Sequence, residues 1–211
     1  MVRKTALALG LLLLPVAAWA TPADDYAALV TAAKDGDSGV DYTAMRQTYT
    51  QTPDYDPLGK KTDGLMHDAQ AAYIAKDCKT ALAKFKMALA FNFTLSDAHA
   101  LSADCLEQQG DKKSVAHEEA IAQGLFDSIM ASGDGKSPKT ALWVVSRHEE
   151  EMVFAVAGLN GKGQGTLKTD HGLVDKFIVT DAKTGKSAPM YFNVSAMAAS
   201  GAVTAKPSDK Q

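Results

Sequence analysis

Apolar positions across residues 24–34 (DDYAALVTAAK) recur at helical spacing and predict a short amphipathic helix. Asp24 and Asp25 fall in its first turn, where the helix dipole favours negative charge. DGDSG at 35–39 breaks the pattern, residues 42–49 predict another turn or two of helix, and 51–61, with Pro53, Pro57 and Gly59, predict a loop. From residue 63 to 130 the pattern is helical almost throughout, rich in alanine, with breaks at Lys76-Asp77, at Asn92-Phe93-Thr94 and at Gly110-Asp111. Helices separated by such short breaks predict two helical hairpins in tandem. After Met130 the period drops to two. Residues 140–147 (TALWVVSR), 151–158 (EMVFAVAG), 174–181 (VDKFIVTD) and 190–194 (MYFNV) read as strands rich in β-branched and aromatic side chains. The glycine-rich stretch 158–165 and DAKTG at 181–185 read as turns joining antiparallel strands. Residues 196–211 carry no pattern and are expected to form a disordered tail. The expected class is α+β: helices first, then a small antiparallel sheet.

An internal repeat sharpens the helical half. Lys76-Asp77-Cys78-Lys79-Thr80-Ala81 aligns with Gly110-Asp111-Lys112-Lys113-Ser114-Val115 at an offset of 34, the period of the tetratricopeptide repeat, which that region resembles. In that register Ala69 and Ala103 take the small position of the first helix. Ala81, Phe85 and Ala88 match the second helix, and Val115, Glu119 and Ala122 fill the same places in a more degenerate copy. Phe93 and Asp127 stand where the repeat's terminal proline belongs.

The N-terminus changes the setting. Arg3-Lys4 precedes an apolar run at residues 6–16, and Ala18-Trp19-Ala20 supplies small residues at −3 and −1 before Thr21. This is the layout of a cleavable signal peptide. The run of 11 residues falls well short of the roughly 20 that span a bilayer. A periplasmic or secreted protein without membrane insertion after cleavage is expected. The chain thus divides into 1–20 (signal peptide), 21–62 (helix and loop), 63–131 (tetratricopeptide-like hairpins), 132–195 (sheet) and 196–211 (tail). Twenty-two Lys and Arg against 25 Asp and Glu give a net charge of −3, and loss of Arg3 and Lys4 makes it −5. No basic excess is present to neutralise phosphates, which argues against nucleic acid as a partner.

Several segments in order resemble a bacterial family of unknown function, the one numbered 4919. They are Asp41-Tyr42-Thr43-Ala44-Met45-Arg46 with Tyr49, then Tyr55-Asp56-Pro57, and Ser132-Gly133-Asp134-Gly135-Lys136-Ser137 with Thr140-Ala141. Glu149-Glu150-Glu151 and Tyr191-Phe192-Asn193-Val194 complete the set, and the resemblance covers residues 24–195. It implies frequent export and carries no established activity, so no residue inherits a catalytic role from it.

In an oxidising compartment the two cysteines, Cys78 and Cys105, are expected to pair, the alternative being two buried thiols. The repeat register sets Cys78 near the start of one helix and Cys105 near the end of its antiparallel neighbour. A bridge there closes a 27-residue loop and contributes about 3 to 4 kcal/mol in the chain-entropy model.

Other constellations do not assemble a site. Gly133-Asp134-Gly135-Lys136 has the wrong spacing and the wrong flanking elements for a phosphate loop, and reads as a helix-ending turn. It remains the first choice for a functional loop, since loops carry function. Asp35, Asp37 and Asp41 invite a calcium-loop reading, but Arg46 stands where the bidentate Glu belongs. The five histidines lack metal-ligand spacing, and neither a serine elbow nor a catalytic cysteine signature occurs. No metal, cofactor or catalytic residue is expected. Phe85, Phe91 and Phe93 with Met87 and Leu89 read as repeat core. The best-supported function is a non-enzymatic module binding a protein or peptide. The alternatives are an enzyme using Asp134 and Lys136 with Glu149, Glu150 and Glu151, and a purely structural envelope protein.

Overall fold

The structure, a computed structural model, describes residues 20–205. Residues 1–19 of the expected leader (1–20) and 206–211 of the expected tail lie outside the described residues. Helix α1 (Pro22–Asp35) begins with a reciprocal cap: the Thr21 hydroxyl accepts from Asp24 N and the Asp24 carboxylate accepts from Thr21 N. Asp41 caps α2 (Tyr42–Tyr49) by accepting from Ala44 N. After a loop come α3 (Asp63–Ile74), α4 (Cys78–Phe91), α5 (Ser96–Gln108) and α6 (Lys112–Met130), each packed against the next.

The turns before α4 and α6 are built alike. Lys76 and Gly110 adopt left-handed conformations (φ 61° and 78°), then Asp77 and Asp111 cap the following helix by accepting from Thr80 N and Ser114 N. The 34-residue offset in the sequence is therefore a repeat of local structure. Ala69, Ala81, Phe85, Ala88 and Ala98 form the hairpin core, where alanines let the helix axes approach closely. Within it the Cα atoms of Cys78 and Cys105 are 5.2 Å apart and the sulfurs are at disulfide distance. α1 and α2 pack together, and α2 on α6, through Ala33, Met45, Phe93, Ile121 and Leu125.

The class is α+β, as the pattern indicates, and the sheet has four strands in the order β1-β4-β3-β2. Strands β2 (Leu159–Thr169), β3 (Gly172–Asp181) and β4 (Ser187–Asn193) are antiparallel, but β1 (Leu142–Trp143) pairs parallel with β4, so the sheet is mixed rather than purely antiparallel. The strand expected over 140–147 shrinks to β1. Val144 N still donates to Asn193 O of β4, and from Val145 the chain leaves the sheet: Val145 N donates to the Glu149 carboxylate.

Two assignments are corrected. Residues 151–158 are not a strand: 151–157 belong to helix α7 (Arg147–Ala157) and Gly158 caps it. Ser146 caps it by accepting from Glu149 N, and Gly158 ends it in the left-handed region at φ 66°. The alternation in EMVFAVAG is a by-product of a helix buried through Met152, Val153 and Phe154. Conversely, the stretch read as a turn over 158–165 is, from Leu159 on, the first half of β2. Its glycines make room for rings. A Cβ on Gly161 would lie 2.6 Å from the Phe154 ring, which stacks edge-on with Phe177 and Phe192 at centroid distances of 5.0 and 5.4 Å. The tail also differs from expectation. Ser195–Ala199 forms α8, whose Met197 is fully buried in the sheet core, with Val203 beside it.

Candidate functional site

The three consecutive glutamates go to three different environments, because successive residues on a helix point about 100° apart. Glu149 turns inward. Its carboxylate takes Arg46 Nε at 2.9 Å and Nη2 at 2.8 Å, plus Val145 N at 2.8 Å. Arg46 has no solvent exposure, and also donates to Ser128 Oγ and Trp143 O while stacking on the Trp143 ring at 4.8 Å. Glu150 faces the sheet beside Asp175, which accepts a hydrogen bond from Thr166 Oγ1. Burial, and then the Asp175 carboxylate, push the Glu150 carboxyl up to about 9, so it is a neutral acid at pH 7. Its Oε1 has no hydrogen-bond partner among the described residues. Glu151 alone reaches solvent, on the rim of a groove.

That groove, of about 990 Å³, runs between α5, α6 and α7. Its floor is Leu101, Phe126 and Met152, flanked by Ala100, Ala120 and Val156. Alanines on α5 and α6 are too short to fill the space between helices, so a trough is left, and Val156 stands 63% exposed at its edge. The rim carries Asp97, Asp104, Glu119 and Glu151 with Gln70 and His148. Its one basic group is tied down: His148 Nε2 lies 2.6 Å from Asp97 Oδ1. Burial opposes the imidazolium, but the Asp97 carboxylate, then Glu151 and Glu149, outweigh it and hold the His148 pKa above its ordinary value. The rim is thus acidic over an apolar floor.

The loop at Gly133, Asp134, Gly135 and Lys136 is closed on itself. Asp134 Oδ1 accepts from Lys136 N at 2.9 Å and from Thr140 Oγ1 at 2.5 Å, and Asp134 N and Gly135 N both donate to Thr140 O. The Thr140 hydroxyl, then Lys136 N, hold the Asp134 carboxyl below its usual range. Gly133 is required because a Cβ would lie 2.4 Å from Thr140 O. Asp134 is engaged by its own turn and Glu149 by Arg46, and no hydrogen bond or ion pair among the described residues joins Asp134 or Lys136 to Glu149, Glu150 or Glu151. Among the described residues no group of three or more His, Cys, Asp or Glu is placed to hold a metal.

Of the short segments that resemble one family, those holding Arg46 and Glu149 meet at that pair, and the others bind neighbouring elements. Tyr42 lies over Gly124, Tyr55 Oη donates to Val145 O at 2.6 Å, and Pro57 O accepts from Arg147 N. Ser132 Oγ accepts from Trp143 N, Gly135 O from Tyr191 N and Asn193 O from Val144 N. The family model for Domain of unknown function (DUF4919) matches residues 26–201. The chain belongs to that family. No curated protein and no solved structure matches it. In this DUF4919 chain the motif residues join helices to sheet, while the groove is built from residues the motifs do not contain, Glu151 excepted. The groove was missed in the sequence because Leu101, Phe126 and Met152 read as ordinary core positions and the alanines beside them as helix filler. Asp175 was missed because its partner sits on α7, read as a strand.

Proposed function

We propose that the protein is a non-enzymatic binding module whose groove receives a basic amphipathic peptide segment. The observation that carries this is the groove's chemistry: an apolar floor of about 990 Å³ under four carboxylates. A helix with apolar residues at i, i+3 and i+4 and Lys or Arg beside them complements both features. The tetratricopeptide-like reading supports it, since α5 and α6, the second hairpin in that reading, form two walls of the groove and stacked hairpins of that kind bind peptides. Fluorescence anisotropy with a labelled Leu/Lys amphipathic peptide tests the proposal. Saturable binding is expected, weakened about tenfold or more in Glu119→Lys/Glu151→Lys, which removes two attractive charges and adds two repulsive ones. Equal binding of an acidic counterpart, or no effect of the double reversal, would refute it.

The module is read as an exported protein, cleaved before Thr21 and working in the periplasm or outside the cell. Two observations support this. The capping box of α1 starts at Thr21, directly after the proposed cleavage site, and Cys78 and Cys105 stand at disulfide distance. No helix among the described residues is long and apolar enough to cross a membrane. Cys78→Ser/Cys105→Ser is expected to lower stability by about 3 kcal/mol, by freeing a 27-residue loop in the unfolded chain. Alkylation of the denatured exported protein without reductant checks the bridge: no thiol is expected to react, and two labelled cysteines would sink it.

A further inference from the structure

A second cleft, of about 480 Å³, opens on the other face of α5 and α6, between them, α4 and the end of α1. Its charge is opposite to that of the groove. Lys34, Lys86 and His117 line it, together with one carboxylate, Glu118. That carboxylate is already engaged: Glu118 Oε2 lies 2.6 Å from Nδ1 of the buried His99, whose Nε2 faces Phe93 O at 3.0 Å. Lys34 and Lys86 form no ion pair among the described residues. Lys34 Nζ instead sits 5.3 Å from the centroid of the Phe93 ring. The interior is apolar, with Leu82, Leu89, Phe93 and Ile121, and its volume lies in the range of small-molecule sites, roughly 300–1,000 Å³.

We infer that this cleft binds a small amphipathic anion, a carboxylate or phosphate head held by Lys34, Lys86 and His117 with an aliphatic tail on Leu89, Phe93 and Ile121. Two ammonium groups from different helices line one opening, neither forms an ion pair among the described residues, and the one carboxylate there is hydrogen-bonded to His99. Such an arrangement is repulsive when empty and is relieved by an anion. The apolar walls then set the rest of the ligand, because a fully hydrated anion would leave them uncovered. An acidic peptide helix does not fit a cleft of half the groove's volume. This site is independent of the peptide groove and stands or falls without it.

Isothermal titration of the protein with decanoate and with decyl phosphate, each below its micelle concentration, tests the inference, with decyltrimethylammonium as the cationic counterpart. Both anions are expected to bind at one site and the cation not to bind. Lys34→Gln and Lys86→Gln each should weaken the anions about fivefold, and the double variant more. Lys84→Gln on the same helix, whose ammonium is paired with Asp68 at 2.9 Å outside the cleft, should change nothing. Vesicles of phosphatidylglycerol distinguish a bilayer headgroup from a free amphiphile: co-sedimentation lost in the double variant would make the bilayer a source of the same ligand chemistry. Equal binding of the cationic amphiphile, or anion binding unchanged in the double lysine variant, would overturn the site.

Discussion

Replacing Arg46 with Ala is expected to lower stability by about 3–5 kcal/mol, the usual effect of removing one partner from a buried ion pair. The physical reason is on the other side of the pair. Glu149 is 3% exposed and would keep its charge with only Val145 N as donor, so either the carboxylate is stranded or it must take up a proton. Arg46 further holds Ser128 on α6 and Trp143 on β1, so the loss spreads to three elements. Arg46→Lys should recover little, because an ammonium cannot present the planar fork that meets both Glu149 oxygens. Arg46→Met/Glu149→Gln should be more stable than Arg46→Ala, since no uncompensated charge remains. Urea denaturation of the four proteins checks the series, and a loss below about 1 kcal/mol for Arg46→Ala would show that the pair does not join helices to sheet.

The second large effect is a dependence on pH. Glu150 has its folded pKa raised to about 9 from 4.5, so above pH 4.5 the unfolded chain releases a proton that the folded chain keeps. Its contribution is fully present below that value and is lost as pH rises toward 9, at a slope of up to about 1.4 kcal/mol per unit. Between pH 5 and 8 the protein should therefore lose several kcal/mol of stability. Glu150→Gln keeps the shape and a donor for Asp175 but has no proton to lose. The variant should match the parent near pH 5 and exceed it by about 2–4 kcal/mol at pH 8. Identical pH profiles for parent and variant, measured by denaturant titration, would contradict the assignment of a neutral Glu150.

Much of the helical half was legible because its signals are local. The breaks at Lys76-Asp77 and Gly110-Asp111 are left-handed caps followed by aspartate N-caps, and both can be read within a few residues. Strands β3 and β4 were legible for the same reason: their β-branched and aromatic residues alternate without competition. What failed depends on distant partners. The stretch 151–158 alternates by accident, and the decisive local sign, Ser146 three residues before Glu149, is a helix cap that the alternation masked. The glycines of β2 make sense only once the rings of Phe154 and Phe177 lie against them. Arg46 and Glu149 are 103 residues apart, and nothing near either one announces the other. The groove is the extreme case. It exists because Ala100 and Ala120 leave space between packed helices, and empty space has no signature in a chain of letters.

Amide chemical-shift mapping during titration with the basic amphipathic peptide tests the binding groove most directly. Saturable shifts should cluster along α5, α6 and α7, at Leu101, Glu119, Met152 and Val156, with the β2–β3 hairpin unmoved. Shifts confined to the sheet, or scattered shifts that never saturate, would contradict the groove as the protein's working surface.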